Sequence, residues 1–186
     1  MLILAGKFKS VVTALFVTIA LIQPLSAQSG RLDGLFERLA RAGEGEWQAI
    51  EEDIWNAWSH SGSAAMDLLL ERGRKAMQAE DWEAAIAHFT ALIDHAPDFP
   101  EGWNARATAY FNAGLYGPAL ADIARTLELE PRHFGALTGL GVILEESGNG
   151  KAALEAYRRA LAIHPRKPEI KEAVERLEKE LGGTEL

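Results

Sequence analysis

Pro97, Pro131 and Pro165 stand 34 residues apart, and the chain between residues 66 and 167 falls into the frame they set. In that frame Gly73, Ala107 and Gly141 share one column, Ala85, Ala119 and Ala153 a second, and Phe89, Ile123 and Tyr157 a third. Small, small and large apolar residues therefore recur together. A fixed period of this length, carried by amphipathic segments, points to stacked helical units, because one unit cannot bury its apolar face alone. The columns also describe the packing: two helices approach closely where Gly or Ala faces the partner, and the large residue fills the space between them. Gly114 and Gly148 stand where the first helix of their units should end, ready to supply a left-handed cap. Pro118 follows early in the next helix, where its missing N–H costs nothing.

This frame resembles the tetratricopeptide repeat. The second unit carries the pattern at Trp103, Ala107, Tyr110, Ala119 and Pro131, with Ile123 in place of an aromatic. The third has Gly141, Ala153, Tyr157, Ala160 and Pro165, with Leu137 and Leu144 where aromatics are usual. The first has Gly73, Ala85, Phe89 and Pro97, with Leu69 and Ala76 at the aromatic positions and Leu92 where Ala is common. The resemblance implies an all-α fold, an α-solenoid of three units over residues 66–99, 100–133 and 134–167. It also implies a concave groove lined by the first helix of each unit, through Asp67, Leu70, Arg74 and Met77, then Glu101, Asn104, Thr108 and Phe111, then Thr138, Val142 and Glu145. In such a groove Arg74 and Asn104 would hold a peptide backbone or carboxylate, Phe111 and Met77 would give apolar grip, and Glu101 would select a basic partner. Chaperone-binding members of the family grip a C-terminal carboxylate with a clamp of Lys, Asn and Arg. The corresponding residues here are Leu70, Arg74, Ala105, Gly135 and Gly139, with a single cation, so the clamp is missing and a peptide must be held differently.

The flanks differ in character. Lys7 and Lys9 precede an uncharged run from Val11 to Ile22, Pro24 breaks it, and Ser26-Ala27 ends in the small residue that a signal peptidase takes. The expectation is a signal peptide over residues 1–27, export to the periplasm, and no stable membrane span after cleavage. The alternative is an inner-membrane anchor through an uncleaved 11–22 segment, but such a run makes only about 18 Å of helix against a hydrocarbon core of about 30 Å. Residues 28–65 read as a helical hairpin: Leu32, Leu35, Phe36 and Leu39 share one face, Arg41 to Gly45 is a break, and Trp47, Ile50, Ile54, Trp55 and Trp58 share the next. The 34-residue frame puts Glu51 where Ala belongs, so this hairpin is expected to be an atypical N-terminal cap. Its tryptophans offer the alternative of a docking or self-association patch. Ser59 to Ser63 is a polar turn with Ser63 placed to cap the first repeat helix. In residues 168–186, Ile170, Val174, Leu177 and Leu181 form one stripe while Glu175 occupies the Gly/Ala column, so this helix is expected to cap the stack at its C-terminal end.

Composition narrows the chemistry. There is no cysteine, which removes disulfides, thiolate metal sites and cysteine catalysis. The formal charge is −8, and residues 1–27 hold two lysines and no acid, leaving −10 on the remainder. Such an acidic body argues against nucleic acid as a partner. No phosphate-binding glycine loop, zinc-protease histidine pair or nucleophile elbow occurs. His60, His88, His95, His133 and His164 match no metal spacing and read as exposed or locally bonded. The acidic runs Glu51-Glu52-Asp53 and Glu145-Glu146 read as solvated helix faces. The sequence thus points to a non-catalytic scaffold, without cofactor or metal, that binds a protein or peptide segment. The alternative is a structural protein that forms a homo-oligomer through the Trp-rich hairpin or the end helices.

Overall fold

A computed structural model of the protein describes residues 23–182. Among these it holds nine helices and no strand: α1 (Gln23–Arg41), α2 (Trp47–Trp58), α3 (Ala64–Gln78), α4 (Trp82–His95), α5 (Pro100–Asn112), α6 (Tyr116–Leu129), α7 (Phe134–Glu146), α8 (Gly150–Ile163) and α9 (Pro168–Gly182). The lysines and uncharged run of the expected leader lie outside the described residues. α1 begins ahead of the proposed cut after Ala27.

Helices α3 to α8 form three pairs, and each pair turns for the same reason. After α5 the N–H of Leu115 bonds Tyr110 O at 2.8 Å and that of Gly114 bonds Phe111 O at 2.9 Å, with Gly114 at φ 75°. This is the left-handed cap that satisfies the last carbonyls of a helix. Gly148 closes α7 in the same way, at φ 76°. In the first unit the same column holds Glu80, which takes φ 57° with a side chain attached.

The repeated columns meet inside the pairs. A Cβ on Gly141 would lie 2.6 Å from the Tyr157 ring, and one on Gly73 would run into Phe89. Ala107 and Ile123 share the core of the second unit. An aromatic therefore faces each Gly, and an Ile faces the Ala. The core continues from Leu137, Ala153 and Tyr157 into Ile170, Val174 and Leu177 of α9. Glu175 points away from that core and approaches Lys171 at 3.8 Å. On the outer side Arg106 forks onto Asp122 at 2.7 and 2.9 Å and also reaches Thr90 at 3.0 Å. It lies over the rings of Trp103 and Tyr110, so one guanidinium staples α4, α5 and α6 together.

The N-terminal hairpin departs from the expected cap. α1 and α2 share a core of Leu32, Leu35, Phe36, Leu39, Ile50 and Ile54, but that core includes Phe134 of α7 and is packed by Ile163 of α8. The hairpin lies against the turns before and after the third unit. Arg132 bonds Asp33 at 2.8 Å, Arg166 bonds the Ala42 carbonyl at 3.1 Å, and Lys167 bonds Glu51 at 2.8 Å. The cause is side-chain chemistry: the tryptophans find aromatic partners in His133, Phe134 and His164, whereas α3 exposes Glu71, Arg72 and Lys75. Two further expectations are corrected. His133 and His164 are fully buried and so not exposed, although His133 is locally bonded, to the Ala136 N–H, and Ser63 stands at the start of α3 without its hydroxyl capping the helix. Nearby, Ser61 instead directs its N–H and hydroxyl to Asp67 at 2.8 and 2.7 Å.

Candidate partner-binding groove

The concave side is built from the first helix of each pair. Between α5 and α7 it opens into a pocket of about 120 Å³, lined by Asn104, Thr108 and Phe111 from α5 and by Gly135, Gly139 and Val142 from α7. Ala107, Ile123, Ala136 and Ile143 make its floor. The floor is apolar because Ala107 and Ile123 stand in the columns that pack α5 on α6, and Ala136 and Ile143 belong to the same core. Phe111 is held in place by stacking on Tyr116, with ring centroids 5.7 Å apart and planes at 19°. Thr108 is exposed at the rim, its hydroxyl donating to Asn104 O at 3.0 Å.

Only part of the predicted lining reaches this pocket. Leu70 is 2% exposed and belongs to the core with Phe89 and Leu92, and Met77 packs against the same cluster. Glu101 is buried, and its carboxylate accepts from Arg74 at 2.7 Å, Asn104 at 3.0 Å and His133 at 3.2 Å. Burial pushes that carboxyl up, but His133 and Arg74 beside it more than offset this and hold it below the ordinary carboxylate value. Glu101 is thus engaged internally rather than free to select a basic partner. Arg74 also gives both terminal nitrogens to Ser59 Oγ at 3.0 Å. Glu145 is paired with Arg176 at 2.6 Å and accepts from the Tyr157 hydroxyl at 3.3 Å. Thr138 donates to Phe134 O at 2.8 Å, one turn back on its own helix. Asn104, Thr108, Phe111 and Val142 are the predicted residues that the pocket brings together.

Sequence reasoning missed what borders this pocket. His133 Nδ1 accepts the N–H of Ala136 at 3.1 Å, capping α7 and leaving the ring proton on Nε2 to donate to Glu101. Trp58 stacks on the His133 ring at 4.0 Å and 8°, and Trp55 covers Gly135, so that a Cβ there would meet its ring at 2.6 Å. Glu51, beside Trp55, is pulled down to about 2: burial raises it, while His164, Lys167 and the Trp55 indole outweigh burial. The spacing of Gly135 and Gly139, four apart on one helix face, was a signal available in the sequence for a strip that side chains of other elements can approach closely.

Among the described residues no group of three His, Asp or Glu side chains is placed to hold a metal ion. No helix there is long and apolar enough to cross a membrane. Residues 70–117 and 105–168 match the family model for the tetratricopeptide repeat. The chain belongs to the tetratricopeptide-repeat family. It is 38% identical over 159 residues to a TPR repeat-containing protein of Rhizobium etli, covering 85% of this chain and 78% of that one. It spans about a third of the length of two further curated relatives. Solved tetratricopeptide-repeat domains share the fold: the Sgt2 domain of Aspergillus fumigatus superposes with a TM-score of 0.62 at 23% identity, covering 66% of this chain and 83% of that one. The first such domain of Spaghetti, bound to an HSP90 peptide, superposes with a TM-score of 0.60 at 23% identity, covering 63% and 93%.

Proposed function

We propose that this tetratricopeptide-repeat protein is a non-catalytic scaffold that holds a segment of another protein in the pocket between α5 and α7. The observation that carries the reading is the pocket itself, an apolar concavity with Asn104 and Thr108 at its rim, between the first helices of two successive units. A preordered receptor surface loses little entropy on binding. The charges beside the pocket, Glu101 and Glu145, are paired within the chain, so the grip comes from shape and apolar contact. The Spaghetti domain with its HSP90 peptide supports segment binding by this fold. The carboxylate clamp is missing here, with Leu70 and Ala105 buried and Gly135 under Trp55, so the segment is held by other means. Lys7, Lys9 and the uncharged run after them support export, and the site of action we assign is the bacterial periplasm.

The test is a photo-crosslinking amino acid at Thr108 in the native host, with a control at Glu128 on α6, exposed away from the pocket. Capture of one envelope protein at Thr108 and not at Glu128 is the expected result. Capture at neither position, or equally at both, removes the pocket as the working surface. Mass spectrometry of the mature N-terminus decides the export reading: it should begin after Ala27.

A further inference from the structure

The seam between the N-terminal hairpin and the repeats is built unlike the rest of the molecule. The repeats pack helix on helix, whereas α2 meets them through long side chains, without close helix–helix approach. Among the described residues, Trp58 Nε1 and His164 Nδ1 are buried without a hydrogen-bond partner, and His164 Nε2 has only a long approach to Glu51 Oε2, at 3.5 Å. All three lie at this seam. Such orphans are costly, and natural structures keep few of them, so their concentration marks an interface that is not optimised for permanence. The seam also draws on groove residues. Ser59 accepts from Arg74, Trp58 covers the His133 ring that is bonded to Glu101, and Trp55 covers Gly135, itself part of the pocket wall. The hairpin therefore sits on one end of the concave face, tied to the first unit by the short turn at Ser59–Ser63, where Gly62 takes φ 84°.

We propose that the hairpin is a displaceable occupant of the groove, and that the partner segment replacing it is an amphipathic helix with two aromatic side chains spaced as Trp55 and Trp58 are. This rests on the groove being the working surface. Residues three apart lie on one helix face, so such a helix can cover Gly135 and His133 together, as α2 does. An acidic group one turn ahead of its first aromatic would meet Lys167, as Glu51 of α2 does at 2.8 Å. Displacement would open the Gly135 end onto the pocket and join the two into one longer site.

The probe is a labelled synthetic peptide of residues 30–60, titrated by fluorescence anisotropy into the full chain and into the full-chain variant Asp33→Arg/Glu51→Lys. The variant repels its own hairpin from Arg132 and Lys167 while leaving every repeat residue intact. We expect the variant to bind the peptide at least tenfold more tightly than the unmodified chain, and Gly135→Leu added to it to abolish the gain. If the charge reversal leaves the tryptophan emission unchanged, Trp55→Ala/Trp58→Ala serves as the loosened chain, with the same expectation. Binding no tighter than that of the unmodified chain in both variants, or a gain that survives Gly135→Leu, overturns the proposal. Its failure is separable from that of the groove reading: a Thr108 probe that still captures a partner leaves the groove intact, and a peptide that binds while Thr108 captures nothing removes the pocket alone.

Discussion

Alanine placed at Gly139 and at Gly141 should move stability in opposite directions, although the two stand on the same helix. Both substitutions gain the helix propensity that Gly lacks, about 0.8–1 kcal/mol. A Cβ on Gly139 would meet Ile123 Cδ1 at 3.7 Å, an ordinary contact. A Cβ on Gly141 would lie 2.6 to 2.8 Å from three atoms of the Tyr157 ring, against an optimum of about 3.5–4.0 Å. That ring has nowhere to retreat: Tyr157 is 4% exposed, and Ala153 and Ala160 beside it are fully buried. Overpacking of this kind costs about 1–3 kcal/mol, so Gly141→Ala should destabilise by up to about 2 kcal/mol while Gly139→Ala stabilises by up to about 1. The propensity gain cancels in the comparison, and the gap of about 1–3 kcal/mol isolates the contact. In thermal melts followed by circular dichroism it corresponds to roughly 2–4 °C per kcal/mol for a chain of this size. Gly141→Ala with Tyr157→Ile recreates the Ala107–Ile123 pair of the second unit and should recover part of the loss. Two single variants of equal stability, within about 0.5 kcal/mol, would refute the close approach of α7 and α8 at this column.

Three other outcomes follow from the same geometry. Glu80→Gly should stabilise by about 0.5–1 kcal/mol in a urea titration, because Glu80 is exposed at φ 57° where Gly114 and Gly148 stand in the other units; Glu80→Ala, which keeps the Cβ, should show no such gain. Arg106→Lys should cost about 1–3 kcal/mol by the same assay, since a single ammonium cannot replace the fork on Asp122 and the bond to Thr90 in a largely buried site. Glu51 and Glu101 both titrate below the ordinary carboxyl value of 4.5, Glu51 at about 2. The unfolded chain therefore binds protons more readily in that range, and stability rises with pH: the contribution is whole above about pH 4.5 and is lost as the pH falls toward about 2. Near-ultraviolet tryptophan signals from the seam should change before far-ultraviolet helicity in an acid titration, and Glu51→Gln should reduce that early change.

The repeat frame was legible because its determinants are local and periodic. Prolines every 34 residues, Gly and Ala columns, and Gly114 and Gly148 at the turns each act within a unit or on its neighbour, so the order of residues already contains the packing. Asn104, Thr108, Phe111 and Val142 came from the resemblance, which implies a groove lined by the first helix of each unit, and helical spacing explains why each set shares one face. Leu70 and Glu101 shared that spacing and still went elsewhere. Whether a residue at the edge of a helix face ends in the core or in the groove depends on what the neighbouring elements bring, and for Glu101 that was Arg74 from the first unit and His133 from the turn ahead of α7.

What the sequence by itself determined is the number of units, their helix pairs and the position of their turns, because each follows from contacts over less than one repeat. What only the tertiary structure decided is where the N-terminal hairpin goes. Its apolar stripe announces that it must be covered, but the choice between α3 and the turns around the third unit depends on matches such as Trp58 with His133, Asp33 with Arg132 and Glu51 with Lys167. Those pairs lie between about 75 and 116 residues apart in the chain. No periodicity links them, and only the superhelical path of the repeats brings them to one place.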